Sequence, residues 1–189
     1  MNKVFSILFF VLVIGIVIFQ YTRNSETNIN YENFNLVAPG ILRTPDDRFE
    51  DLKDYPFKPN YLTIDDTRIH YLDEGPKDGE VIYLLHGEPT WSYLFRKMIP
   101  TLVSEGYRVI APDMVGFGKS DKYISVDDYS HQMHVDKMTQ LIIELDLKNI
   151  TAHFHDWGGP VGLRVLAKEP NRFDRVIASN TSLPATGRG

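Results

Sequence analysis

The stretch His153-Phe154-His155-Asp156-Trp157-Gly158-Gly159 constrains this chain more than any other. Before it runs Lys148-Asn149-Ile150-Thr151-Ala152, a β-prone segment. After it, Pro160-Val161-Gly162-Leu163-Arg164-Val165-Leu166-Ala167 carries apolar residues at helical spacing. The layout is strand, sharp turn, helix, which can hold a reactive side chain at the tip of a strained turn while small residues let the helix pack close to the strand. The tip residue is Asp156. A carboxylate ordinarily needs no base to become nucleophilic; it needs exposure, a fixed attack angle and a site from which bulk water is kept away. The plainer reading of Asp-Trp-Gly-Gly is an N-capping aspartate with a glycine turn behind it. The rest of the chain decides between the two.

From residue 60 the pattern becomes regular. Tyr61-Leu62-Thr63-Ile64 and Arg68-Ile69-His70-Tyr71-Leu72 flank Asp65-Asp66-Thr67, which reads as a hairpin. Apolar strands then follow at Val81 to Leu85, Arg108 to Ala111, Ile150 to Phe154 and Arg175 to Ser179. Between them, Ser92 to Ser104 and Tyr129 to Leu145 are expected as helices, the second with Met133, Met138, Leu141, Ile142 and Leu145 along one side. Strands apolar throughout belong in a parallel sheet covered on both faces, so the expectation is a doubly wound, mostly parallel α/β domain over residues 60–189.

Ahead of that domain lie two different segments. Val4 to Phe19 is apolar apart from Ser6 and Gly15, with Lys3 before it and Arg23 after it. At about 1.5 Å per residue the run spans roughly 24 Å, enough with its flanks for a transmembrane helix. A cleaved signal is the rival, but Phe19-Gln20-Tyr21-Thr22 is bulky where a cleavage site would need small residues. Residues 1–23 are therefore expected as a membrane anchor through residues 4–19, with the folded part exported. Residues 24–59 are expected as a linker and an extended lead-in, punctuated by Pro39-Gly40 and ending in Tyr55-Pro56-Phe57-Lys58-Pro59.

Composition narrows the function. A net charge of −5 across 189 residues argues against nucleic acid as a partner. The absence of cysteine removes disulfides, thiolate metal sites and a cysteine nucleophile, and no metal or cofactor is called for. In a doubly wound sheet, ligands bind beyond the carboxyl ends of the strands. Three loops emerge there: His86-Gly87-Glu88-Pro89-Thr90-Trp91, Pro112-Asp113-Met114-Val115-Gly116-Phe117-Gly118-Lys119-Ser120-Asp121, and the Asp156 turn. Gly87 is expected to let the backbone turn so that the Glu88 amide points into the site, where the Trp157 amide also faces, and two amides aimed at one place make an oxyanion hole.

Together, His86-Gly87-Glu88-Pro89-Thr90-Trp91-Ser92-Tyr93, Arg108-Val109-Ile110-Ala111-Pro112-Asp113, Gly116-Phe117-Gly118-Lys119-Ser120-Asp121 and His155-Asp156-Trp157-Gly158-Gly159 resemble the haloalkane dehalogenases of the α/β-hydrolase fold. The resemblance runs from about Leu42 to Pro184. It implies Asp156 as the nucleophile that displaces halide from an sp³ carbon to form an alkyl ester, with water then attacking the carbonyl of that ester. It further implies the backbone amides of Glu88 and Trp157 as the oxyanion hole, the Trp157 indole as a halide donor, and the Glu88 side chain as a group that places the hydrolytic water.

The chain departs from that pattern in two ways. Phe154 stands two before the tip, where a small residue is usual, which puts close packing of the following helix in question. In this fold a catalytic acid and histidine follow the nucleophile, yet His70, His86, His131, His134, His153 and His155 all precede Asp156. Glu169 and Asp174 are the only acids beyond it and read as surface residues. The sequence thus looks like the amino-terminal portion of a longer enzyme, ending before the helical cap and the last strands. An epoxide hydrolase and a non-catalytic, membrane-tethered remnant remain as the competing readings.

Overall fold

The computed structural model describes residues 35–182. In chain order the strands are β1 Leu36–Ala38, β2 Ile41–Leu42, β3 Asn60–Ile64, β4 Thr67–Glu74, β5 Val81–Leu85, β6 Arg108–Pro112, β7 Lys122–Tyr123, β8 Ile150–His155 and β9 Phe173–Ser179. The helices are α1 Met98–Ser104, α2 His131–Glu144 and α3 Gly158–Lys168.

The main sheet has six strands in the order β3-β4-β6-β5-β8-β9. The hairpin is antiparallel with Ile64 opposite Thr67, so Thr67 belongs to the strand and the turn is only Asp65-Asp66. Both turn residues have positive φ, 45° and 60°, the mirror-image turn whose twist matches that of the flanking strands. β4 runs antiparallel to β6, while β5, β6, β8 and β9 are mutually parallel. The chain leaves β5 toward β6 on one side and returns to β8 on the other. That reversal opens a crevice beyond the carboxyl ends of the central strands.

Strand periodicity sorts the core into two layers. In β5 all five residues are buried, with Val81, Tyr83 and Leu85 packed among Met138, Leu141, Ile142, Val161 and Val165 of α2 and α3. Ile82 and Leu84 face the other way, toward Phe95 and Ile99. α2 begins where the Ser130 hydroxyl accepts from the Met133 amide, a capping bond worth about 1 kcal/mol. Its expected apolar side is the one it buries: Met138, Leu141 and Ile142 are inaccessible, and Met133 and Leu145 are partly covered.

The helix expected over residues 92–104 is split into a 3₁₀ turn, Ser92–Phe95, and α1. Pro100 explains the break, since it has no N–H to offer the Arg96 carbonyl four residues back and its ring crowds that oxygen.

The compact unit runs from Asn35 onward. β1 and β2 pair across Pro39-Gly40, and β2 pairs with β7. Arg43 grips Asp121 through Nε at 2.8 Å and Nη2 at 3.0 Å. Tyr55 is buried with its hydroxyl 2.8 Å from Ser92 Oγ. Residues 35–59 are therefore woven into the domain by strand pairing and side-chain contacts that periodicity does not reveal. Among the described residues no helix is long and apolar enough to cross a membrane, and the span expected over residues 4–19 lies outside them.

Candidate active site

Asp156 sits at the junction of β8 and α3 with φ of 53°, in the left-handed region that a non-glycine residue enters at a cost of about 1–2 kcal/mol. Three bonds hold it there. Its amide donates to the Ser179 carbonyl at 3.3 Å, and its own carbonyl accepts from the Gly159 amide at 2.9 Å and the Thr181 hydroxyl at 2.7 Å. Ser179 and Thr181 lie at the carboxyl end of the neighbouring strand, so β9 supports the tip. Sequence reading assigned these residues no role, and a hydroxyl at the exit of the adjacent strand is the only local signal of it.

Glycines behind the tip permit the close approach. A Cβ on Gly158 would lie 2.6 Å from the His86 carbonyl oxygen, and one on Gly162 would lie 2.5 Å from the Phe154 ring. The second contact resolves the packing question raised by Phe154. Its ring is fully buried, and the room it takes is the room Gly162 vacates, so the helix stays against the strand although the small residue has moved to the helix side.

β5 and β8 are paired with Leu85 beside Phe154, so their loops leave the sheet side by side. The Glu88 amide donates to Asp156 Oδ1 at 3.0 Å. Gly87 makes this approach possible, but not through an unusual backbone: its φ is not positive, whereas a Cβ there would lie 2.5 Å from Asp156 Cβ and 2.6 Å from the Trp157 nitrogen. Gly87 opens the turn that the Thr90 amide closes on its carbonyl, and what that turn requires of glycine is lateral space. The same contact places the Trp157 amide beside Gly87, on the flank of the site where Glu88 already donates.

A strand, a strained tip carrying a carboxylate, a glycine-backed helix and an amide from the neighbouring strand's loop are now assembled in one place. The family model described as "alpha/beta hydrolase fold" matches residues 80–187. The chain belongs to that family. Within it, the sequence is 57% identical over 149 residues to a haloalkane dehalogenase of Psychrobacter cryohalolentis, an alignment covering 76% of this chain and 49% of that protein. The tetrameric haloalkane dehalogenase DpaA of Paraglaciecola agarilytica superposes with a TM-score of 0.72 at 48% identity, over 75% of this chain and 49% of that one. An epoxide hydrolase variant of Vigna radiata is more distant, at a TM-score of 0.62 and 28% identity over 71% of this chain and 41% of that one. The chain spans about half the length of the haloalkane dehalogenases it matches.

The remaining candidate residues of this α/β-hydrolase domain fall into place around the tip. Trp157 is 53% exposed and borders two clefts. One, of about 440 Å³, is lined by Asp156, Pro160, Asn180, Thr181 and Ser182; the other, of about 300 Å³, is more apolar and includes Glu88, Met114, Phe117, Tyr129, His134 and Val161. The Glu88 side chain is exposed at the edge of the second. Among the described residues no group of three His, Asp or Glu side chains is spaced to hold a metal ion.

None of the six histidines is hydrogen-bonded to Asp156. His70 Nδ1 bonds Asp113 at 2.8 Å, His131 contacts Arg164, and His153 Nε2 bonds Ser179 Oγ at 2.8 Å. His134 lines the apolar cleft, where burial pushes its pKa down to about 4. Glu169 pairs with Arg172 at 3.3 Å, and Asp174 lies beside Asp78 and Gly79 at the opposite end of the strands from Asp156.

Asp113 opens the loop after β6 and is a structural hub, a role sequence reading did not give it. It is fully buried, accepting from the Ser92 amide at 2.8 Å, the Lys119 amide at 2.9 Å and His70. Burial opposes its ionisation, but the hydrogen bonds from His70 and the Ser92 amide hold its carboxyl below the usual carboxylate range. It thereby ties the loops after β5 and β6 to one another.

Proposed function

We propose that this chain carries the nucleophilic half of a haloalkane dehalogenase, with Asp156 as the nucleophile. The observation that carries the reading is the Asp156 carboxylate at a left-handed tip with the Glu88 amide 3.0 Å from Oδ1. That bond leaves Oδ2 to attack. Oδ2 forms the new C–O bond at an sp³ carbon, the carbon–halogen bond breaks, and the halide departs with its electron pair. Hydrolysis then requires a base to take a proton from water as its oxygen adds to Cγ, a base that none of the six histidines supplies beside Asp156, with the oxyanion on Oδ1 resting on the Glu88 and Trp157 amides. Collapse releases the alcohol and restores the carboxylate. The indole N–H of the partly exposed Trp157 is the donor for the leaving halide, and the Glu88 carboxylate at the cleft edge places the water.

Similarity to two haloalkane dehalogenases near half identity supports this over an epoxide hydrolase, to which the likeness is weaker. Trp157→Phe separates the two. It keeps the ring and removes the N–H, so the barrier to alkylation of Asp156 by a primary bromoalkane should rise by roughly 2 to 4 kcal/mol. Rates equal to the parent's would remove the halide role, and faster capture of an epoxide than of a bromoalkane by the parent would favour the alternative.

Residues 4–19 are proposed to anchor the protein in a membrane, with the folded part exported. The full chain should then fractionate with membranes and resist extraction by high salt, because an apolar span is held by the hydrophobic effect rather than by charge. A soluble product beginning near residue 21 would show instead that the segment is a cleaved signal.

A further inference from the structure

We propose that His86 is a positioning residue for the donor that holds Asp156, acting through the Gly87 carbonyl, with Thr90 as its second anchor. The inference rests on the reading of Asp156 as nucleophile. His86 is fully buried and both ring nitrogens are engaged. The Met114 amide donates to Nε2 at 3.0 Å, so Nε2 carries no proton. Nδ1 therefore does, and it donates to the Gly87 carbonyl at 3.0 Å. Burial lowers the pKa of His86, which favours the neutral ring that this pattern needs. The ring is braced edge-on against Phe117, with centroids 5.3 Å apart.

The Gly87 carbonyl accepts two further bonds, from the Thr90 amide at 2.9 Å and the Thr90 hydroxyl at 2.8 Å. The Gly87–Glu88 peptide is trans, so its C=O and N–H point in opposite directions. Three donors on the oxygen consequently aim the Glu88 N–H at Asp156 Oδ1. They also draw electron density from the amide and make that N–H a stronger donor. His86 touches no reacting atom; it sets the direction and strength of the group that does.

The test uses the full chain and two readouts: the rate at which 1-bromobutane alkylates Asp156, followed by mass spectrometry, and the Glu88 amide proton shift by NMR. His86→Leu removes the donor, while His86→Asn can place its side-chain amide nitrogen where Nδ1 stood. We expect His86→Leu to alkylate about tenfold more slowly and to move the Glu88 proton upfield, with His86→Asn recovering most of both at similar thermal stability. Equal rates and an unmoved Glu88 proton in both variants would overturn the proposal. If the parent is not alkylated at all, the failure lies with Asp156 as nucleophile, and the amide shift still decides the role of His86. Should His86→Leu not fold, Thr90→Val against Thr90→Ser makes the same comparison, with a smaller slowing and shift expected in Thr90→Val alone.

Discussion

Asp156→Asn is expected to abolish covalent capture of a bromoalkane by this chain. In the parent, incubation with 1-bromobutane should add one butyl group, traceable to Asp156 by peptide mass spectrometry, with at most one halide released per chain. None of the six histidines is bonded to Asp156, so among the described residues no imidazole is placed to activate water against the ester. An amide is a poor nucleophile of nearly the same shape, and loss of the reacting group should slow capture by about 10⁴-fold or more. Undiminished alkylation of the Asn variant would remove Asp156 from the mechanism. Sustained turnover by the parent would sink the single-release claim and assign a base to one of the upstream histidines.

Gly87→Ala should also have a large effect, and for a steric reason. The added methyl would lie 2.5 Å from Asp156 Cβ and 2.6 Å from the Trp157 nitrogen, both on backbone or near-backbone atoms of a strained turn that cannot swing aside. The loop after β5 and the tip after β8 must separate by about 1 Å, enough to cost on the order of 10²-fold in rate through misplacement of the Glu88 amide. Overpacking of this kind also destabilises by about 1–3 kcal/mol, visible as a lower Tm. Because the φ of Gly87 is one that alanine tolerates, a variant with parental rate and Tm would show that the close approach is not a requirement.

Much of the fold is legible locally because strand and helix periods are properties of neighbours in sequence. The strands at Val81–Leu85 and Arg108–Pro112, the apolar side of α2 and the strand, tip and helix around Asp156 all follow from spacing within a dozen residues. The break before α1 is also written locally, in Pro100, although helical spacing alone passes over it.

What the sequence could not determine by itself is whatever depends on strand order and register. That Glu88 meets Asp156, 68 positions away, follows from β5 lying directly beside β8 in the sheet. The space for the Phe154 ring is left by Gly162 across a helix–strand contact, and no pattern of small residues along one element predicts it. The support of the tip by Ser179 and Thr181 requires β9 to lie next to β8, and the proton on His86 Nδ1 requires the Met114 amide to reach Nε2 from the loop after β6. The chain alone specified a carboxylate on a sharp turn. Only the folded sheet brought the Glu88 amide and the Thr181 hydroxyl to it and left the space at Gly87 and Gly162, because these contacts join residues whose separation in sequence carries no information about their distance in space.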